Sequence, residues 1–180
     1  MAFRLRQDDY QVQTRTALMM NSLTFKVGDV IVPNNVSSGV VTNATASTAG
    51  DVYVLGLVVG FSGPNGEVIT TGADPLNTPA FITAGASNTT VQKYSVQYIP
   101  ITPEMEFLAT LDATAGTTAN SDTPFVWFNL ADCRTVSETT AIVYGSGSAP
   151  LQLLSYGLDS ADTNNKTIIC RFAKAGAYRP

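Results

Sequence analysis

The chain has 180 residues, the length of one domain able to bury roughly 70% of its unfolded surface. Apolar residues make up 44% and charged residues only 13%, against a usual ~25%, with threonine, serine, glycine and asparagine in their place. That composition excludes a disordered chain, and the lack of any histidine excludes Ser-His-Asp and Cys-His chemistry.

Charge is unevenly spread. Residues 1–26 hold Arg4, Arg6, Arg15 and Lys26 against Asp8 and Asp9, a balance of +2. Residues 166–180 hold Lys166, Arg171, Lys174 and Arg179 with no acid, +4. Between them, Lys93 and Arg134 face twelve acids, −10. An acidic body lacks the clustered cations that phosphate backbones require, so no nucleic-acid partner is expected. Met1-Ala2-Phe3-Arg4 is followed by no long apolar run, and no stretch has the length of a membrane helix. Neither a secretion signal nor a membrane partner is therefore expected, and synthesis in a cytoplasm is. The basic ends suit docking on acidic surfaces of copies or partners, and equally suit solvated tails.

In chain order, residues 1–22 are polar without a clean period and read as an extended N-terminal arm. The alternative is a first strand over 10–16, with Tyr10, Val12 and Thr14 on one face. FKVGDVIV, residues 25–32, reads as a strand or hairpin half with a bulge or turn at Gly28-Asp29. Residues 37–50 are small and read as a loop or weak edge strand. DVYVLGLVVGF, residues 51–61, is apolar on both faces, which predicts a strand covered on both sides. At period 2, Tyr53, Leu55, Leu57, Val59 and Phe61 share one face, and the glycines leave room for a backbone or a bulge. Gly63-Pro64-Asn65-Gly66 predicts a turn, with 67–71 returning. Short strands follow at 81–83 and 92–99, the latter with Tyr94, Val96 and Tyr98 inward.

Pro100 and Pro103 force a corner. Residues 104–112 alternate, with Met105, Phe107, Ala109 and Leu111 inward and Glu104 and Glu106 outward. Residues 125–130 form an aromatic strand with the only tryptophan, Trp127. One or two strands over 134–144 and strands at 151–156 and 167–173 complete the chain. The expected fold is all-β, a sandwich or barrel of about nine to eleven short antiparallel strands. The arm spans 1–22, a single β domain 23–175 and a tail 176–180. No segment convincingly repeats another, which disfavours propellers and solenoids.

Little chemistry is visible. Cys133 and Cys170 have no activating base, and two thiols without histidine argue against a metal site. They read as small buried residues, or as one disulfide if their strands are adjacent. Glu104 and Glu106 sit about 6.6 Å apart on one strand face, within reach of a glycosidase pair, but beside Pro103 they read as a solvated face. Gly145-Ser146-Gly147 lacks the lysine and helix of a phosphate loop. Asp51, Asp112, Asp122, Asp159 and Asp162 read as turn residues rather than calcium ligands. The glycosylation patterns at Asn43 and Asn88 read as chance matches without a secretion signal. Tyr144, Tyr156 and Tyr178 are candidates to stack on sugars, although such tyrosines usually belong to the core rim. No catalytic residue, metal ligand or cofactor is assigned.

Through FKVGDVIVPN, VYVLGLVVGF and YIPITPEMEFLATLD, a loop, and then PFVWFNL, the chain resembles the decoration, or cement, proteins of tailed-bacteriophage heads. The resemblance covers most of residues 23–175 and lies in texture rather than in a short motif. It implies a non-enzymatic virion protein on the outer capsid surface, assembled in the host cytoplasm. It also implies a major capsid protein as partner, self-association as a trimer, and stabilisation of the shell. The residues themselves suggest Arg4, Arg6, Arg15, Arg171, Lys174 and Arg179 as bridges to acidic patches. A carbohydrate- or receptor-binding module of a phage tail or fibre is the alternative. An enzyme using Glu104 and Glu106, or a loop aspartate pair, is the third reading.

Overall fold

The computed structural model describes residues 3–6, 13–34, 39–44, 54–69, 81–83, 94–111, 127–142, 151–156 and 167–172. These residues contain no helix. They form thirteen strands: β1 (Arg4–Leu5), β2 (Arg15–Met19), β3 (Thr24–Lys26), β4 (Val30–Pro33), β5 (Val40–Asn43), β6 (Gly56–Ser62), β7 (Phe81–Thr83), β8 (Ser95–Pro100), β9 (Glu106–Leu111), β10 (Trp127–Leu130), β11 (Thr135–Ile142), β12 (Leu151–Tyr156) and β13 (Thr167–Phe172). The protein is all-β, as its composition requires.

The strands close two rings. The first is β2-β5-β4-β6-β8, with β8 returning to β2. The second is β9-β11-β10-β12-β13, with β13 returning to β9. Closing a sheet on itself pairs most of its strand edges, which suits a chain with few charges to guard them. β3 and β7 form a small separate sheet, and β1 adds to β9.

The rings share one topology. With the strands of each ring numbered in chain order, both run first–third–second–fourth–fifth and back to first. In both, the first and third strands are parallel and every other pair is antiparallel. The registers also match, apart from a shift between Trp127 and Asn129 in β10–β11 that β4–β5 lacks. Leu18↔Val40 and Met19↔Val41 correspond to Thr110↔Thr135 and Leu111↔Val136. Ile31↔Gly56 corresponds to Phe128↔Leu151. In the fourth strand, three paired residues precede a bulge in both rings, at Val59 and at Leu154. Val58↔Tyr98 therefore corresponds to Leu153↔Cys170, and Arg15↔Tyr98 to Phe107↔Cys170.

The cores follow the same scheme. Met19, Ile31, Val41, Val58, Val96 and Tyr98 are buried in the first barrel. Leu111, Phe128, Val136, Leu153, Ile168 and Cys170 are buried at the matching positions of the second. Each full burial of an aliphatic or aromatic side chain contributes roughly 1.5–3 kcal/mol. Val30, Val32, Ala44, Val54 and Leu57 of the first half join the second barrel's cluster, so the barrels share a seam.

Three expectations are corrected. Among the described residues of 1–22, Arg4–Leu5 and Arg15–Met19 are strands paired into the sheets rather than an arm standing apart. β2 is a stave of the first barrel, and Phe3 lies in the core, 5.9 Å from the Phe172 ring. An apolar Phe3 and the alternation of Ala17 with Met19 outweigh the polar average of the segment. Residues 40–43 form an interior stave paired on both sides, not an edge. Finally, the faces of 51–61 do not alternate throughout. The bulge at Val59 turns both Val58 and Phe61 into the barrel and leaves Val59 exposed, while Leu57 faces the seam. The turn expected at Gly63–Gly66 is present, with Gly66 at φ 81°.

Candidate interaction surfaces

The strand order brings three of the six candidate cations onto one wall. Arg4 and Arg6 flank Leu5 on β1, and their side of the strand faces outward while Phe3 and Leu5 pack inward. Arg6 donates to the Glu106 carboxylate at 2.5 Å, and its backbone N–H donates to the Glu106 carbonyl at 2.9 Å. Glu106 is the cross-strand neighbour of Arg171, whose Nε donates to Gln152 Oε1 at 2.8 Å. The outer wall of the second barrel thus carries a ladder of Arg6, Glu106, Arg171 and Gln152 across four strands, with Arg4 beside it. Its net charge is positive. Exposed pairs of this kind contribute little stability, typically ~0–1 kcal/mol, so the guanidinium groups can exchange their partners for external carboxylates.

Arg15 lies elsewhere, at the rim of the first barrel on β2, and is exposed. Lys174 and Arg179 lie outside the described residues, as do Asp51, Asp112, Asp122, Asp159, Asp162, Asn88, Tyr144, Tyr178 and Gly145 to Gly147. Glu106 is engaged by Arg6 rather than paired with Glu104 across a cleft. Asn43 is half-buried and donates its side-chain N–H to Thr24 O at 3.0 Å, an arrangement that opposes glycosylation.

A second polar cluster joins the barrels, and the sequence did not single it out. Asp29 is fully buried where the chain leaves the β3 turn, which Gly28 makes with φ 88°. Its carboxylate accepts from Lys26 N at 2.8 Å and from Arg134 Nε at 2.5 Å. Burial pushes the Asp29 carboxyl above its usual range, against the pull of the Arg134 hydrogen bond, the Lys26 backbone N–H and both cationic charges. For Arg134, burial acts to lower the value, but the hydrogen bond and charge of Asp29 prevail and raise it. A buried pair of this kind depends on its own geometry. Asp132 Oδ1 accepts from the backbone N–H groups of Arg134 and Thr135, both at 2.7 Å, and fixes the bend that presents Arg134. Val30 N–H donates to Cys133 O at 2.8 Å beside it.

Both cysteines are free. Cys170 is inside the second barrel, where burial raises its thiol. Burial and the Asp29 charge push Cys133 up to about 12. Neither thiol is a nucleophile in this state. Among the described residues, no three acids or thiols approach closely enough to hold a metal ion, and no helix is long and apolar enough to cross a membrane.

Comparison with protein-family models gives no match, and comparison with curated proteins gives none either.

Proposed function

We propose that this is a non-enzymatic structural protein of a virion, a head decoration protein that binds the outer capsid surface and stabilises the shell. The observation that carries the reading is the arginine ladder on the outer wall of the second barrel. Arg4, Arg6 and Arg171 present guanidinium groups from paired strands rather than from loose tails. Rigidly placed guanidinium groups favour planar, bidentate recognition of carboxylates on a neighbouring protein. The resemblance of the sequence to capsid decoration proteins supplies the partner class, a major capsid protein, and favours a homotrimer.

The test is co-sedimentation of the protein with empty capsid shells. Removing residues 1–22 would also remove Phe3 and β2, so point substitutions are the better probe. Saturable binding that falls at least tenfold in a variant with Arg4, Arg6 and Arg171 all replaced by glutamate is the expected result. Equal binding by the two proteins would remove the ladder from the reading, and no binding by either would remove the decoration role.

A further inference from the structure

We infer that the edge of β2 beside Arg15 and Thr16, along which no described strand pairs, is a docking edge for an extended, acidic segment of a partner protein. The two barrels differ in strand pairing along the edge of their first strand. In the second barrel, β9 has two neighbours along one edge. β11 lies beside Thr110 and Leu111, and β1 lies beside Phe107 and Leu108. In the first barrel, β5 lies beside Leu18 and Met19. The counterparts of Phe107 and Leu108 are Arg15 and Thr16, and no described strand occupies the place of β1 there.

The backbone at this edge is oriented to receive a strand. The N–H groups of Leu18 and Met20 reach toward β5, to Gly39 O at 3.2 Å and Val41 O at 3.0 Å. Met19 N–H reaches the other way, to Tyr94 O at 3.1 Å. Alternation along the strand then points the N–H and C=O groups of Thr16 and Thr14 toward the open edge. Residues 13–16 are all exposed. The counterpart in the second barrel is filled by the 2.9 Å bond from Arg6 N–H to Glu106 O. An unpaired edge of this kind is a template for strand addition, with backbone bonds giving affinity and alternate side chains giving choice of partner.

Side-chain chemistry selects the occupant. β1 brings Phe3 and Leu5 inward, where Phe3 meets Phe172. In the first barrel, the counterparts of Phe107 and Phe172 are Arg15 and Pro100. Tyr98 already fills the space above Gly56, at 2.3 Å from where a Cβ would stand. Among the described residues, no apolar mouth remains for a second Phe3. Instead, Arg15 stands exposed, without an ion-pair partner among the described residues. An incoming strand places alternate residues opposite Arg15 and one step beyond it. Carboxylates at those positions complement the guanidinium group. The inference names the partner chemistry at Arg15 and does not require the decoration reading.

The probe is a blocked hexapeptide of alternating threonine and glutamate, titrated into the 15N-labelled full chain, with the threonine–lysine peptide as control. The expected result is saturable shifts at the amides of Thr14, Arg15 and Thr16 that weaken with salt, and affinity for the lysine peptide lower by roughly tenfold or more. Arg15→Glu should reverse that preference. Thr16→Pro, which removes an N–H facing the open edge and none facing β8, should abolish both. Shifts that avoid residues 14–16, or equal binding of the two peptides, would overturn the inference. Concentration-dependent self-association of the free protein that Thr16→Pro abolishes would also overturn it, by giving the edge to a second copy. Shell binding is measured separately, so failure here leaves the ladder's role standing.

Discussion

In the second barrel, the end where β9 begins is filled by Phe107, Phe172 and Leu151, and Phe3 is brought in from β1 to complete it. The matching positions in the first barrel hold Arg15, Pro100 and Gly56, and the Tyr98 ring turns across the glycine. One backbone register therefore accepts two ways of closing its end. The hydrogen-bond pattern and the inward alternation are common to both, while the residues that supply the volume are not. A barrel of this size needs a filled interior of about the right total volume, and that volume can be divided among its positions in more than one way.

The largest test of this comparison is Phe107→Ala against Arg15→Ala. Phe107 is fully buried, with its ring 5.6 Å from Phe172 at 81°. Its loss should cost about 3–5 kcal/mol in urea unfolding. Arg15→Ala, at the matching rim position, should stay within about 0.5 kcal/mol. Similar costs at both sites would mean that the two ends are closed alike.

Next is the clamp between the barrels. Arg134→Met leaves the buried Asp29 carboxylate without its cation and should cost about 3 kcal/mol at neutral pH. Asp29→Asn in the same chain should recover part of that loss. The pH dependence follows from the raised Asp29 value. The folded state favours the protonated carboxyl relative to the unfolded chain. Its contribution is therefore fully present below the ordinary aspartate range and is lost as pH rises through the raised folded value. Arg134→Met should steepen that loss and Asp29→Asn should abolish it, read from urea midpoints across acid to neutral pH. A pH-independent penalty for Arg134→Met would show that packing, rather than charge, joins the barrels there.

The smallest test concerns Gly56. An added Cβ would lie 2.3 Å from the Tyr98 ring and 2.6 Å from Ile99 O. Gly56→Ala should cost about 1–3 kcal/mol through overpacking. Tyr98→Cys in that background, which installs the residue found at Cys170, should recover part of the loss by freeing the ring's space. Recovery measured by thermal unfolding would show that the two positions trade volume, whereas additive losses would leave the Ile99 backbone as the obstacle.

Much of the strand layout was legible before the structure. Val96 and Tyr98, and Met105, Phe107, Ala109 and Leu111, are buried as their alternation requires, because period 2 reports which face is covered. The duplication was not legible. Val41 matches Val136 and Ala17 matches Ala109, but Met19 stands for Leu111, Ile31 for Phe128 and Tyr98 for Cys170. Core positions conserve hydrophobic character and joint volume rather than identity, so a repeat held in register alone leaves little trace in the letters. The residues of the candidate surface were legible in part. Arg4, Arg6 and Arg171 were identifiable as scarce cations at the chain ends, but not as neighbours. Asp29 and Arg134 gave no local signal, since their pairing spans more than 100 residues.

By itself, the sequence determined the all-β class, the turns at Gly28 and at Gly63 to Gly66, and the inward faces of β8 and β9. These follow from local propensity, glycine conformation and alternation, which act within a few residues. Tertiary structure alone decided that the strands close into two rings of one topology, that bulges at Val59 and Leu154 re-aim the faces, and that Phe3 plugs one barrel while Arg15 marks the rim of the other. Ring closure and register are set by contacts between distant segments, and those energies are sums over volume and hydrogen bonds that no short stretch of sequence contains.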